Sequence, residues 1–456
     1  MDLKKNLLKV FSANFIALIV GIIDGFFIPA FLKIDQYAYL KTYTLYAGYI
    51  GIFHFGLLDG IYLKYGGKSK ENIDKEALKY EHNFTIIFQL VITSIFLIFA
   101  FLKKDLIILT VALSIIPVNM QTYFSFLYQA LGEMGTFAKI KIAYPITILC
   151  INLILIFLIR INSYIPFILA ILISNYAVYF IFEFNYLKDF KATQPKKIDL
   201  KPLFTSGFFI MIGNLSSMLF NSIDKWFVKF LLPVENFSYY SFAISMIGII
   251  TILINSIAMT FYPYFSKGYE SNQIREIKKY LIIIGAIASS GYFVLFLVVS
   301  NFLENYIPSL EVIAVLFVSF PAIAVINVLY VNLFKVNKEE KKYFYKVLMM
   351  LVIATLLNVV AVLIDLSNFS IAIATSVAYY YWFFSSSRDF DGLETNSKEI
   401  IFLSVYIPLF LFTSHYLNYV TGFIVFIIGI FILTWAVYKK EFKELMGKII
   451  SKPIAK

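Results

Sequence analysis

The chain has 456 residues, of which 60% are apolar and only 15% are charged, and its mean hydropathy is +0.81. Soluble proteins contain about 45–50% apolar and about 25% charged residues, so this chain has too little polar surface to cover a water-soluble fold. The same numbers exclude a disordered chain and a collagen, and the single cysteine, Cys150, excludes an intrachain disulfide. The net charge of +11 is typical of a membrane protein with lysine-rich loops on one side, and it does not by itself indicate binding to nucleic acid.

Fourteen apolar segments are long enough, at about 20 residues each, to cross a membrane, and we number them spans 1 to 14. They are helices rather than barrel strands, because the strands of a barrel alternate in polarity over about ten residues and these segments do not. In chain order the predicted spans are 11–32, 37–63, 83–102, 106–131, 142–159, 164–187, 205–232, 237–263, 281–302, 311–334, 347–364, 369–387, 400–417 and 420–438. The sequence therefore predicts an all-α integral membrane protein with about fourteen transmembrane helices.

Part of the chain repeats itself at a distance of 200 residues. Residues 14–50 align with 214–250 without a gap, and the polar identities are Asn14 with Asn214 and Asp24 with Asp224. We therefore expect two six-helix pseudo-repeats, spans 1–6 and spans 7–12, in the parallel-repeat plan of secondary transporters, with spans 13 and 14 added. The predicted domains are an N-terminal lobe at 1–190, a cytoplasmic linker at 191–204, a C-terminal lobe at 205–388, spans 13 and 14 at 389–438, and a basic amphipathic cytoplasmic tail at 439–456.

Ionisable and amide side chains inside the predicted spans mark a candidate transport site, because such groups are costly in lipid and usually face a cavity or a partner. These residues are Asn14 and Asp24 in span 1, Lys41 in span 2, and a helical stripe in span 7 that comprises Asn214, Ser217, Asn221, Asp224, Lys225 and Lys229. One interpretation is a water-filled, partly cationic cavity between the two halves, in which the lysines attract a phosphate group and the aspartates balance charge or couple transport to an ion. The other interpretation is that the lysines snorkel to the interface and the aspartates pin spans 1 and 7 together.

The chain carries no convincing enzyme motif. It has no P-loop, and no cluster of His, Cys or Glu has metal-ligand spacing, so we predict no catalytic residue, no metal and no cofactor. Asp389 and Asp391 resemble a DxD metal motif, but the predicted orientation puts them on the inner side of the membrane, which disfavours a membrane-embedded glycosyltransferase. His54, in span 2, is either a packed polar contact, which we favour, or a proton carrier.

Two short segments and the opening of the chain carry a family resemblance. The segment that closes span 2 runs from Phe55 to Gly67, and its distinctive residues are Gly56, Asp59, Gly60, Lys64, Gly66 and Gly67. The segment that closes span 4 runs from Tyr128 to Glu133, and the opening runs from Asn14 to Asp24. Together they resemble bacterial polysaccharide-export flippases of the Wzx type, which belong to the multidrug/oligosaccharidyl-lipid/polysaccharide (MOP) exporter superfamily.

The resemblance implies a V-shaped, two-lobed carrier in the bacterial cytoplasmic membrane. Such a carrier moves an undecaprenyl-diphosphate-linked oligosaccharide from the inner to the outer leaflet for the synthesis of O-antigen, lipopolysaccharide or capsule. Its expected partners are membrane lipid, H+ or Na+ as a coupling ion, and a polymerase or export machinery, but no nucleic acid. The alternatives are a lipid II flippase, a teichoic-acid-type exporter and, disfavoured by the lysines, a multidrug cation antiporter.

The distribution of basic residues predicts that both termini are cytoplasmic. Thirty-two of the 39 Lys and Arg residues lie in segments on one side, four lie on the other side, and three lie within spans, which is a strong positive-inside bias. Reporters placed at Lys5 and after Lys456 should both give a cytoplasmic signal, and a reporter inserted after Arg160 should give a periplasmic one. A periplasmic signal from either terminus would show that the predicted topology is wrong.

Overall fold

The computed structural model describes residues 3–191 and 194–439, apart from the side chains of 3–11, 13–14, 17, 260 and 263, and the regular structure within these residues is entirely helical. Contacts divide the chain into two compact units, Met1–Leu219 and Phe220–Lys456. The predicted tail at 439–456 lies outside the described residues except for Lys439.

The helices of the first half include several that are interrupted by short irregular segments. In chain order they are α1 (Leu3–Phe31), α2 (Ile34–Ala47), α3 (Leu57–Tyr65), α4 (Lys75–Lys103), α5 (Leu106–Ala130), α6 (Met134–Leu153), α7 (Tyr164–Asp189) and α8 (Lys201–Phe220). A 3-10 helix at Ile50–His54 precedes α3, and a π-helical turn at Ile154–Ile159 continues α6. Helix α5 is central to the first unit, since it packs against α2, α3, α4, α6 and α7.

The second half follows a similar plan with more breaks. Its helices are α9 (Ile223–Leu231), α10 (Val234–Phe265), α11 (Ser271–Ala288), α12 (Gly291–Phe302), α13 (Ser309–Phe317), α14 (Phe320–Val325), α15 (Val331–Val336), α16 (Glu340–Ile364), α17 (Asn368–Ser386), α18 (Ser397–Tyr416) and α19 (Tyr419–Val437). A π-helical turn at Ile326–Tyr330 joins α14 to α15. Helix α17 is central here, since it packs against α9, α13, α14 and α16.

Each predicted span coincides with one helix or with a group of successive helices. Among the described residues, ten helices are long and apolar enough to cross a membrane, and there are eleven if the pair Ser309–Phe317 and Phe320–Val336, bent by 49°, forms one span. The chain is therefore an all-helical, multi-pass membrane protein, and the total of fourteen spans stays a prediction.

Several spans that we predicted as single helices are broken, and the breaks in spans 2 and 7 concern candidate residues. Span 2 divides into α2, the 3-10 helix at Ile50–His54 and α3, because Phe55 and Gly56 both have positive φ angles, 50° and 84°, that no α-helix accommodates. Span 7 divides at Asn221 and Ser222, between α8 and α9. The prediction of one continuous polar stripe along span 7 is therefore wrong, since Asn214 lies on α8 and Asp224 on α9.

Close packing of glycines attaches α8 to α3 within the first unit. A Cβ atom at Gly60 would lie 2.6 Å from the carbonyl carbon of Leu203, and one at Gly56 would lie 2.5 Å from the nitrogen of Phe208. A Cβ at Gly207 would meet the main chain of Gly56 and Gly60 in return. The two backbones approach this closely only because neither helix carries a side chain there. Although we predicted that α8 opens the C-terminal lobe, nearly all of it packs with the first unit.

A buried ion pair fixes α18 to the second unit. The Lys278 Nζ atom lies 2.7 Å from Glu399 Oε2 and donates to the Leu393 carbonyl at 2.8 Å, and both charged side chains are fully buried. Removing one partner of such a pair leaves an uncompensated buried charge, which is strongly destabilising. The segment before α18 is therefore held against α11, although its sequence is typical of a linker.

Candidate functional site

A polar cluster surrounds Asp224 in the second unit. One carboxylate oxygen, Oδ2, accepts from the Tyr240 hydroxyl at 2.7 Å and from the Thr375 hydroxyl at 3.3 Å, and Oδ1 accepts from the Lys225 N–H at 2.7 Å. Asn221, just before α9, accepts from the Tyr379 hydroxyl at 3.2 Å. We call these residues the Asp224 cluster; they are Asn221, Asp224, Tyr240, Thr375 and Tyr379. The cluster joins α9 to α10 and α17, and it keeps a carboxylate buried with donors on both oxygens.

The first unit has a simpler counterpart around Asp24. The Asn152 amide donates to both carboxylate oxygens of Asp24 at 3.2 Å, which links α1 to α6. The two aspartates that correspond in the repeat are thus held by different partners, an amide in one unit and two hydroxyls in the other. Asn14, which we also predicted for this site, lies outside the described side chains.

The three lysines predicted for substrate binding are all half-buried. The Lys41 ammonium lies 5.0 Å from the ring centre of Tyr37, and that of Lys229 lies 5.7 Å from the ring centre of Phe237. Lys225 is in the first turn of α9, directly after Asp224. A cation near an aromatic ring is attracted to the face of the ring, so Lys41 and Lys229 each combine a positive charge with an aromatic contact.

The motif residues at the end of span 2 have packing and pairing roles in the first unit. Gly56 and Gly60 allow the backbone of α8 to pack closely against them, as described above. Lys64 forms an ion pair with the buried Glu81, and Glu81 also accepts a hydrogen bond from the Tyr65 hydroxyl at 2.9 Å. Gly66 ends α3. Gly67 has a positive φ of 78° and its N–H donates to the Ala130 carbonyl at 3.2 Å. The two segments that carry the family resemblance therefore contact each other.

Several buried groups were missed by the sequence analysis. Glu81 and His82 lie before the predicted start of span 3, yet both are buried, and His82 Nε2 lies 3.0 Å from Glu183 Oε2. Lys278 and Glu399 lie similarly just before spans 9 and 13. Asn152 is a polar residue in the middle of apolar span 5, and that alone is a signal that could have identified the partner of Asp24.

Each unit offers charged and hydrogen-bonding side chains. Among the residues that the structure describes, no three His, Cys, Asp or Glu side chains are grouped so that they could hold a metal ion. What the residues offer is two hydrogen-bonded aspartates, which suit a bound cation or proton, and three lysines, which suit an anion.

Comparisons with known proteins agree with this description. The profile of a family described as "Polysaccharide biosynthesis protein" matches residues 3–269, and no curated protein shows a significant sequence match to the chain. The solved structure of the lipid II flippase MurJ, in an inward closed conformation, superposes with a TM-score of 0.69 at 12% identity, and the match covers 95% of this chain and 98% of that one. The solved structure of the MATE multidrug transporter DinF-BH superposes with a TM-score of 0.55 at 14% identity, covering 85% of this chain and 96% of that one.

At such low identities the structural likeness shows the fold alone, an all-helical fold that this chain shares with MurJ and DinF-BH. The family match covers more than half of the chain. The protein therefore belongs to the polysaccharide biosynthesis protein family, and the resemblance drawn from the ends of spans 2 and 4 is confirmed.

Proposed function

We propose that the protein translocates an undecaprenyl-diphosphate-linked oligosaccharide from the inner to the outer leaflet of the bacterial cytoplasmic membrane. The product would be used for a surface polysaccharide such as O-antigen or capsule. The observation that carries this proposal is the match to the polysaccharide biosynthesis family over residues 3–269, since it names the pathway class. The fold shared with a lipid II flippase supports a lipid-linked cargo.

The chemistry of the cargo explains why a carrier is needed. A diphosphate with several sugars cannot cross hydrocarbon alone, whereas a polyprenyl tail stays in membrane lipid. A carrier must therefore supply a polar, cationic path for the headgroup and leave the tail outside. Lys225, Lys229 and Lys41 are the residues that we assign to the diphosphate, with Asn221, Asn214 and Asn14 as hydrogen-bonding partners of the headgroup.

We assign Asp24 and Asp224 to charge balance or to coupling with H+ or Na+. Each carboxylate accepts hydrogen bonds that favour its charged form, and the charged form is the one that binds a cation or takes up a proton. In this scheme both termini are cytoplasmic, and a polymerase or export machinery receives the cargo on the outer side. The scheme includes no catalytic step.

Lipid II is the second candidate cargo, and the TM-score of 0.69 to the lipid II flippase favours it over other rivals. A teichoic-acid-type exporter differs from the leading proposal only in the attached polymer. The three lysines disfavour a multidrug cation antiporter.

Deleting the gene tests the function and separates these cargoes. We expect sugar-loaded lipid carrier to accumulate on the inner leaflet and surface polysaccharide to disappear, as measured by periplasmic access of a glycan-modifying enzyme to the carrier. Restoring the wild-type gene is the control. Accumulation of lipid II instead would support the second cargo, and unchanged polymer in a strain without another flippase would contradict the proposal.

A further inference from the structure

Two asparagine side chains of the second unit meet inside predicted spans and have no role in the function proposed above. Asn255 is on α10, and Asn327 is in the π-helical turn that joins α14 to α15. The Asn327 Nδ2 group donates to Asn255 Oδ1 at 3.0 Å. At 1.5 Å of rise per residue, Asn255 lies about 12 Å and Asn327 about 10 Å from the predicted inner ends of spans 8 and 10. The pair therefore joins two spans at one depth in the membrane.

Asn327 is the one residue of its surroundings in the chain that is not buried. Every other residue of 312–330 is buried, whereas Asn327 is half-buried and its partner Asn255 is exposed. The turn around Asn327 packs against α10, α11 and α17, so its position is fixed from several sides. Turns of this π-helical kind are rare and often lie at functional sites. The fold thus holds one amide rigidly at the protein surface, out of a stretch that is otherwise enclosed.

Half of the hydrogen-bonding capacity of the pair is unused. Among the residues that the structure describes, no group donates to Asn327 Oδ1 and none accepts from the Asn255 Nδ2 group. Amides do hydrogen-bond across helices in membranes, but an amide that faces hydrocarbon with unpaired N–H and C=O groups is costly. We therefore infer that the exposed side of this pair borders water rather than lipid.

The surroundings of the pair suit a neutral ligand that carries hydroxyl groups. The stretches 236–265 and 312–334 contain no charged residue. A side-chain amide offers two N–H donors and a carbonyl acceptor, and a hydroxyl group both donates and accepts. Sugar hydroxyls therefore match the free groups of both asparagines, whereas an anion would be bound better by a lysine.

We propose that Asn255 and Asn327 form a sugar-binding subsite, in which their amides hydrogen-bond hydroxyl groups of the glycan on the lipid-linked cargo. This inference rests on the proposed function for the presence of that glycan. The subsite is separate from the lysine that we assign to the diphosphate, because Lys225 lies about 10 Å from the predicted outer end of span 7 and the pair lies near the inner ends. It gives the protein selectivity for a sugar-loaded carrier over a bare one.

Thiol labelling tests whether the pair borders water. Cys150 is the single cysteine, so Cys150→Ser provides a background for Asn255→Cys and for the control Leu253→Cys. Leu253 is 49% exposed and lies two residues away on the same helix, at a similar depth but on a different face. The reactive form of a thiol is the charged thiolate, which hydrocarbon disfavours.

The labelling is done with a charged maleimide on the full-length protein in lipid nanodiscs, which leave both membrane sides accessible. Asn255→Cys should react at least about tenfold faster than Leu253→Cys. Equal rates at the two positions would overturn the proposal.

Binding of two defined probes tests the ligand. The probes are a polyprenyl diphosphate with an attached disaccharide and the same polyprenyl diphosphate without sugar. Asn255→Ala and Asn327→Ala should each lose about tenfold in affinity for the disaccharide form, the effect of about one hydrogen bond, and should keep the wild-type affinity for the bare form. Asn301→Ala is the matched control, since Asn301 is an exposed amide that donates to the Leu297 carbonyl within α12, and it should change neither affinity.

The outcomes separate this inference from the proposed function. If the wild type binds neither probe, the proposed function and the subsite fail together. If the wild type binds both probes with equal affinity, or if the two variants weaken both probes equally, the subsite alone is wrong. The pair would then serve only to hold α10 against the π-helical turn.

Discussion

Replacing Gly60 with Ala should lower the free energy of unfolding by about 3 kcal/mol or more, at the upper end of what overpacking costs. The new methyl group would lie 2.6 Å from the Leu203 carbonyl carbon, and this neighbour is main chain rather than a flexible side chain. No rotamer change can relieve the overlap, so α3 and α8 must separate. When α3 and α8 separate, the two helix faces that pack against each other lose their contacts, and the folded state is destabilised.

Gly248→Ala is the matched control for this prediction. Gly248 is also in a helix, but a Cβ built there meets nothing within 4 Å. Because alanine favours a helix over glycine by about 1 kcal/mol, this control should be neutral or slightly stabilising. Unfolding in detergent, followed by circular dichroism, measures both variants. Equal stability of Gly60→Ala and Gly248→Ala would show that the close packing is not needed.

The helical segments could be predicted well from the sequence, because a helix that spans the membrane needs a long, continuous apolar stretch. Every apolar stretch of about 20 residues coincides with helical structure. In lipid a single spanning segment must pair its backbone N–H and C=O groups with each other, and a helix does this. The starts of α4 and α11 were placed too late, at 83 and 281 instead of Lys75 and Ser271. These helices begin with charged turns that lower hydropathy, and in α4 the Asp74 side chain accepts from the N–H groups of Glu76 and Ala77.

The breaks in spans 2 and 7 were not predictable from hydropathy. Gly48, Gly51, Gly56 and Gly60 lie within span 2, but of these only Gly56 has a positive φ, and Phe55 shares that conformation without being glycine. Such a turn depends on tertiary partners, here the bonds from Gln89 and Asn119 to main-chain carbonyls of the 3-10 segment. Periodicity therefore indicated which residues of span 7 are polar, but not that they belong to two helices.

The candidate site was predictable in its residue types and not in its contacts. Asp24 and Asp224 stand out because charge is rare in lipid, and their match in the repeat strengthens the signal. Their partners, Asn152 in the first unit and Tyr240 with Thr375 in the second, come from distant helices. Tyrosine and threonine are too common in this chain for sequence alone to single them out.

Lys225→Glu should abolish export while the protein still accumulates in the membrane. Lys225 is half-buried in the first turn of α9, and we assign it to the diphosphate of the cargo. A hydrogen bond to a charged group contributes about 1.5–3 kcal/mol, so Ala should weaken headgroup binding about 10- to 150-fold. Reversing the charge adds repulsion. Arg should keep part of the activity, because the charge remains although the geometry changes.

The surroundings of Lys225 separate a functional loss from a folding defect. Asp224 accepts from Tyr240, Thr375 and the main-chain N–H of residue 225, and none of these bonds needs the Lys225 side chain. These hydrogen bonds therefore stay available in the Lys225 variants, and Lys225→Ala is the variant that removes the attraction to Asp224 without adding the repulsion that Lys225→Glu introduces. Lys104→Ala is the control, since Lys104 is an exposed lysine on the predicted outer side. Surface polymer and membrane protein are measured in the same cells, and full export by Lys225→Glu at normal protein levels would leave Lys225 as a snorkelling residue.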